Sequence, residues 1–319
     1  MRFRNAVRLT IDNFSSVFKL LLYRLMTGVV FFSLIYVILK LALNAVTSSA
    51  EWAAMHDLIY DFFHALVTGQ TEKLQTFHND FQEAAKNFVT MLGAHGGSIA
   101  GAIVGVSLIY ILSRFANGLG VFAIGNVIND RMSVFSRTPF YAAYFKSIGQ
   151  AALYQVVYVP LTFVYDVIII LLCWVCVAFV PAILPLGNLL SVLFGISLAV
   201  TVVVGLQALK MAVFSAWMPA MIADKLSMSA GLKRCFSTKK DFGRRFAAYL
   251  LAVYVIIIVN VLCLFTTVGS ALIISIPLSF IFLLSMQFVN YYKQEGRKYF
   301  VSLNKIAGDT PEDLGNLTE

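Results

Sequence analysis

Long apolar runs alternating with short basic stretches make up most of this chain. Six runs approach or exceed the ~20 residues that a helix needs to cross a hydrocarbon core of ~30 Å. They cover about 20–46, 98–128, 152–180, 189–209, 246–268 and 271–292. Pro160 and Pro277 fall inside two of these runs, and Pro181 and Pro185 mark the turn between the third and the fourth. Proline has no N–H to donate, so the third run is expected to loosen or kink at Pro160.

Two other stretches keep helical spacing without being apolar throughout. In residues 1–18, Phe3, Val7, Ile11, Phe14 and Phe18 recur every three or four positions, with Arg4, Arg8 and Asp12 as a polar stripe beside them. This pattern predicts a basic amphipathic elbow, lying in the membrane interface or packed on the end of the bundle. Residues 47–96 predict a helical hairpin outside the bilayer. Ser48 and Glu51 read as a capping box and Gly69 as a C-terminal stop, with Trp52, Met55, Ile59, Phe62 and Leu66 periodic between them. Leu74, Phe77, Phe81, Ala84, Phe88 and Leu92 continue the rhythm in a second helix, which runs on into the second span.

One phrase recurs. Val127-Ile-Asn-Asp-Arg-Met-Ser133 returns 94 residues later as Met221-Ile-Ala-Asp-Lys-Leu-Ser227, each at the end of a span and before a basic, aromatic-rich elbow (133–149 and 229–240). Aligning Asn13-Phe14 on Asp241-Phe242 adds a third unit. Repeats set architecture. The expected fold is therefore all-α: an integral membrane six-helix bundle of three units, each an elbow helix plus a transmembrane hairpin. Residues 1–305 form a single transmembrane domain, the 47–96 hairpin is inserted between helices 1 and 2, and 306–319 form a flexible cytoplasmic tail.

Composition agrees. The chain is 60% hydrophobic and 13% charged over 319 residues, against about 25% charged in soluble domains. The net charge of +8 raises nucleic acid as a partner. Its position argues otherwise, because the bases flank the apolar runs. Of 24 Lys and Arg, 21 lie up to Arg24, in 114–150, in 209–246 or in the C-terminal tail. Only Lys73 and Lys86 lie in the hairpin, and Lys40 is inside the first run. By the positive-inside rule both termini are cytoplasmic and the hairpin is outside. No cleavable signal pattern opens the chain.

Two phrases carry a resemblance: Ser229-Ala-Gly-Leu-Lys-Arg-Cys-Phe236 ahead of Phe242, and Tyr291-Tyr-Lys-Gln-Glu-Gly-Arg-Lys-Tyr-Phe300 closing the last span. With the elbow-hairpin repeat they resemble a group of uncharacterised bacterial six-helix membrane proteins, similar to the membrane domain attached to some glycerophosphodiester phosphodiesterases. The resemblance covers residues 1 to about 300. It implies a fold and a bacterial plasma membrane, and it transfers no catalytic residues.

Asp166 stands out chemically. An ionised carboxylate in mid-span costs about 2.5–3.5 kcal/mol on insertion scales. Asn260 stands at the equivalent position of the next unit and Ser33 is within one position of the third equivalent, so three polar groups are expected on a common axis. They would serve as an ion, proton or substrate contact, or as packing hydrogen bonds with Asp166 protonated. His56, Asp57, Asp61 and His64 share faces of the first hairpin helix, and imidazole with carboxylate suits zinc. Gly93, Gly97, Gly101 and Gly105 are four apart, a small-residue face for a close helix contact or a homo-oligomer seam. Cys173 and Cys176 form a CxxC pair, read as small apolar helix residues. Lys233, Arg234, Lys239, Lys240, Arg244 and Arg245 make the most basic elbow, suited to anionic lipid or a cytoplasmic protein partner. No cofactor motif is evident. The leading expectation is a non-enzymatic multi-pass scaffold or lipid- and partner-binding subunit. The alternatives are a transporter or permease component with Asp166 lining the path, and an enzyme with an outer His/Asp metal site.

Overall fold

A computed structural model describes residues 2–183, 188–237, 241–302 and 305–307. The helices are α1 (Arg2–Asp12), α2 (Ser15–Thr47), α3 (Ala50–Thr68), α4 (Thr71–Ala94), α5 (Gly96–Val134), α6 (Phe140–Ile183), α7 (Asn188–Phe214), α8 (Trp217–Ala223), α9 (Met228–Ser237), α10 (Phe242–Thr266) and α11 (Leu272–Gln294). Strands β1 (Tyr299–Ser302) and β2 (Lys305–Ala307) close the described chain as an antiparallel pair. The expected tail at 308–319, the turn at Pro185, and Lys239 and Lys240 lie outside the described residues.

Six segments are long and apolar enough to cross a bilayer: Ser15–Asn44, Gly96–Val134, Phe140–Phe179, Leu193–Ala223, Phe242–Thr266 and Leu272–Gln294. Large apolar side chains such as Phe32, Leu153, Val164, Ile170, Leu193 and Leu262 stay exposed along them. Water would not tolerate such a surface, whereas lipid does, so this is a multi-pass membrane protein.

The chain divides into two compact units. The first comprises Met1–Leu25 and Arg114–Glu319. Within it α6 packs on α7, α7 on α10, and α10 on α11. The short α1 packs on α11 and on β1. The core gathers where the short helices meet the spans: Trp217, Tyr249, Tyr291, Phe122 and Phe288 are fully buried there. Tyr154 stands edge-on to Trp217 with ring centroids 5.0 Å apart.

The elbows are not alike. α1 and α9 are separate helices, with Asn13-Phe14 a turn before α2 and Asp241, at φ 62°, ahead of α10. The middle elbow is not separate: the aromatic stretch from Phe140 runs without interruption into a 44-residue α6. The helix also continues through Pro160, the site of the expected kink. The fourth span does break, at Ser215-Ala216, which leaves Pro219 in the first turn of α8, where a missing N–H costs nothing.

The second unit is Met26–Ser113. Here α3 and α4 pair antiparallel, Phe62 meeting Phe77 at 4.2 Å and Trp52 meeting Phe88 at 5.9 Å between ring centroids. Gly69 ends α3 in the left-handed region (φ 72°), as its position implies. The N-cap is Ser49, one residue beyond the expected Ser48; its hydroxyl accepts from the Trp52 amide at 3.1 Å. Ser48 instead donates to the Asn44 carbonyl. α4 does not run on into the second span, because the helix stops at Ala94 and restarts at Gly96.

Candidate functional site

The charged cluster at Asp166 is assembled from three helices of the first unit. Thr162 and Asp166 are one turn apart on α6, Gln207 and Lys210 one turn apart on α7, and Arg114 stands on α5. Arg114 Nη1 donates to Asp166 Oδ2 at 2.7 Å, and its Nη2 to Thr162 Oγ1 at 3.3 Å. Lys210 Nζ donates to Asp166 Oδ1 at 2.7 Å, and Gln207 Nε2 lies 3.5 Å from the same oxygen. Thr162 Oγ1 in turn donates to the Tyr158 carbonyl at 2.7 Å. Beside the cluster, Tyr165 donates across to Leu206 O at 2.7 Å and joins α6 to α7 again.

Around Asp166 the surface is apolar, with Val164, Val167, Ile168 and Ile170 exposed. A lone carboxylate there would take up a proton. Here each carboxylate oxygen instead faces a cationic side chain, Arg114 on one and Lys210 on the other. Asp166 and Arg114 keep 24% of their side-chain surface exposed and Lys210 keeps 10%.

Within the first unit, Asp166 and Asn260 belong to different side-chain clusters. Asn260 forms its own cluster between α10 and α11, where Ser275 Oγ donates to its Oδ1 at 2.7 Å and its Nδ2 reaches Ile256 O at 2.8 Å. Ser33 donates back to Val29 O at 2.7 Å on the same helix. Instead, Asp166 draws on Arg114 and Lys210, which a count along the chain assigns to flanking loops. A mid-span acid asks for a cation at equal depth, and that demand was the available clue.

The repeated phrase ends both spans in ion networks at one end of the unit. Arg131 grips Asp12 through Nη2–Oδ1 at 3.0 Å and stacks on the Phe135 ring at 3.4 Å. Asp130 accepts from the Thr138 hydroxyl at 2.5 Å. Asp224 accepts from Tyr291 at 2.6 Å and pairs with Arg297 at 2.6 Å. Tyr292, next to Tyr291 on α11, donates to Asn129 at 3.0 Å. The two copies of the phrase thus meet at the same end, where Tyr291 holds Asp224 and its neighbour Tyr292 holds Asn129, next to Asp130. β1 belongs to this network, since Asn5 donates to Tyr299 Oη at 2.9 Å.

The basic third elbow divides. Lys233 is exposed, and Arg234 pairs with Glu295, a bond that raises its already high pKa further. Arg245 is only 2% exposed and donates to Gln294 Oε1 at 3.2 Å, so it is a core residue rather than part of a contact surface. Arg244 is 82% exposed. Burial pushes the Cys235 thiol of α9 up to about 12. Cys173 and Cys176 are both free thiols, and Cys176 is buried.

His56, Asp57, Asp61 and His64 make no common site. His56 Nδ1 lies 3.2 Å from Asp57 Oδ1, His64 stacks on Tyr60, and no three His, Cys, Asp or Glu side chains converge among the described residues. The glycine face is also looser than its spacing implies. A Cβ on Gly93, Gly97 or Gly101 would meet nothing within 4 Å, whereas one on Gly105 would lie 3.1 Å from Ile38. The tight glycines of α5 are lower down: a Cβ on Gly118 would collide with Gln155 and one on Gly120 with the Tyr23 ring at 2.6 Å.

No protein family matches the chain, and no curated protein or solved structure does so either.

Proposed function

We propose that this is a non-enzymatic scaffold of the bacterial plasma membrane, with both termini in the cytoplasm, that contacts lipid through its basic elbow end and a protein partner through its outer hairpin. The observation that carries this reading is a stripe on α3. Tyr60, Phe63 and Val67, three and four residues apart, are all exposed, while Phe62 faces α4. An amphipathic helix with apolar side chains on two faces has a second surface to cover. Val89 of α4 is exposed as well. The arrangement of the Asp166 cluster supports the same reading, because both carboxylate oxygens are engaged in holding α5, α6 and α7 together.

A photo-crosslinking residue at Phe63 tests this in native membranes. A discrete protein adduct at Phe63, absent when the same residue replaces Glu83 on α4, is the expected result. Equal labelling at both positions would end the scaffold reading.

The partial exposure of Asp166 and Arg114 favours one alternative, a transporter or permease component with the cluster lining its path. Proteoliposomes holding the purified protein would then show a solute flux that Asp166→Asn abolishes.

A further inference from the structure

At the elbow end of the first unit, α1, α10 and α11 meet around an open cleft of about 290 Å³. Arg2, Arg244 and Lys293 line it with Asp241, and Phe3, Ala248 and Leu251 form its apolar part. Three cations face one acid, which is already shared: Arg2 Nη2 donates to Asp241 Oδ2 at 3.1 Å, and Arg244 stands 3.5 Å from Oδ1. Arg2 Nη1 is buried and has no hydrogen-bond partner among the described residues. A buried guanidinium donor left open is costly, and an oxyanion would satisfy it.

The charges are arranged by depth. Arg244, Ala248 and Leu251 follow one face of α10 at spacings of four and three, so Leu251 lies about 10 Å further along the helix than Arg244. Leu251 is 52% exposed and continues into the apolar lipid-facing surface with Tyr254 and Ile258. The cations thus crown the cleft where the span begins, and its wall runs into the hydrocarbon zone. A free anion would use only the crown; a phosphate carrying acyl chains would use both.

We infer that this cleft seats the phosphate headgroup of an anionic phospholipid, with Arg2, Arg244 and Lys293 holding the phosphate and Ala248 and Leu251 flanking a chain. The inference rests on the lipid-contact half of the proposed function and is independent of the hairpin.

Native mass spectrometry of the full chain, released from nanodiscs of mixed phosphatidylglycerol and phosphatidylcholine, is the test. One phosphatidylglycerol should remain bound preferentially. Arg244→Gln with Lys293→Gln should weaken it roughly thirty-fold, while Arg2 and Asp241 stay paired to keep the elbow folded. Arg137→Gln with Lys146→Gln, on a different elbow, should leave it bound. Glycerol phosphate and inorganic phosphate should fail to displace it at millimolar concentration. The site is disproved if the Arg244/Lys293 pair retains the lipid as tightly as the unaltered chain, or if the Arg137/Lys146 pair loses it equally. Displacement by phosphate alone would make the ligand a soluble anion and overturn the lipid assignment. None of these failures would alter a Phe63 adduct, so the two readings fail separately.

Discussion

The two units differ in what their side chains are asked to do. Among the described residues of Met26–Ser113, the buried apolar ones are Val46, Met55, Ala65 and Ala102, and no polar side chain is buried. In the other unit, buried Asn5, Arg131, Gln155, Lys210, Arg245, Ser285 and Asn290 sit among fully buried aromatics. Lipid supplies no hydrophobic force between helices, so apolar spans alone specify little about which helix meets which. Fixed neighbours arise where polar groups must find partners. The first unit is therefore specified by its ions and hydrogen bonds, and the second chiefly by the ring contacts of α3 with α4.

The sharpest way to break this contrast is to remove the shared acid of the first unit. Asp166→Leu leaves Arg114 and Lys210 facing each other without a counter-ion and should cost about 3–5 kcal/mol, read as early thermal unfolding in detergent. Changing all three together to Leu, Met and Leu should cost much less, because no charge is stranded. If the single and triple variants melt alike, the cluster does not hold the helices.

Glycines of one helix sharpen the comparison at a smaller scale. Gly120→Ala drives a Cβ into the Tyr23 ring, whose hydroxyl is tied to Ala116 O at 2.7 Å, and should cost about 1–3 kcal/mol. Gly101→Ala, in the second unit, meets open space and should be neutral or slightly stabilising. Chemical denaturation of the two variants side by side decides the matter.

The smallest effect belongs to the hairpin. Ser49→Ala removes the cap of α3 and should cost about 1 kcal/mol locally, seen as faster amide exchange in the first turn around Trp52. Ser48→Ala should leave those amides unchanged.

Much of the framework was legible along the chain. Six long apolar spans, the Gly69 stop and the acid at the end of two spans all follow from local periodicity and local chemistry. What failed depended on which face of a helix a residue occupies. Arg114 and Lys210 lie 52 and 44 residues from Asp166, and counting charges by loop cannot see that they turn inward. Arg245 reads like its neighbour Arg244, yet one step of about 100° around α10 buries it. Gly101 and Gly120 look equivalent until the neighbours that approach them are known. The β1–β2 pair was hidden because Tyr299-Phe-Val-Ser is only four residues long in a stretch that otherwise reads as a polar tail.

The docking of α1 carries a consequence for biosynthesis. Thr10 meets Ser285 at 3.4 Å, a partner 275 residues later, and Asn5 waits for Tyr299, 294 residues later. At about 5–20 residues per second the ribosome needs on the order of 15–60 s to deliver that partner. Throughout this interval α1 has neither α11 nor β1 to rest on, and its amphipathic surface must be parked on the bilayer or held by a chaperone. Insertion of the spans can proceed helix by helix; locking of the elbow end comes last, and all at once.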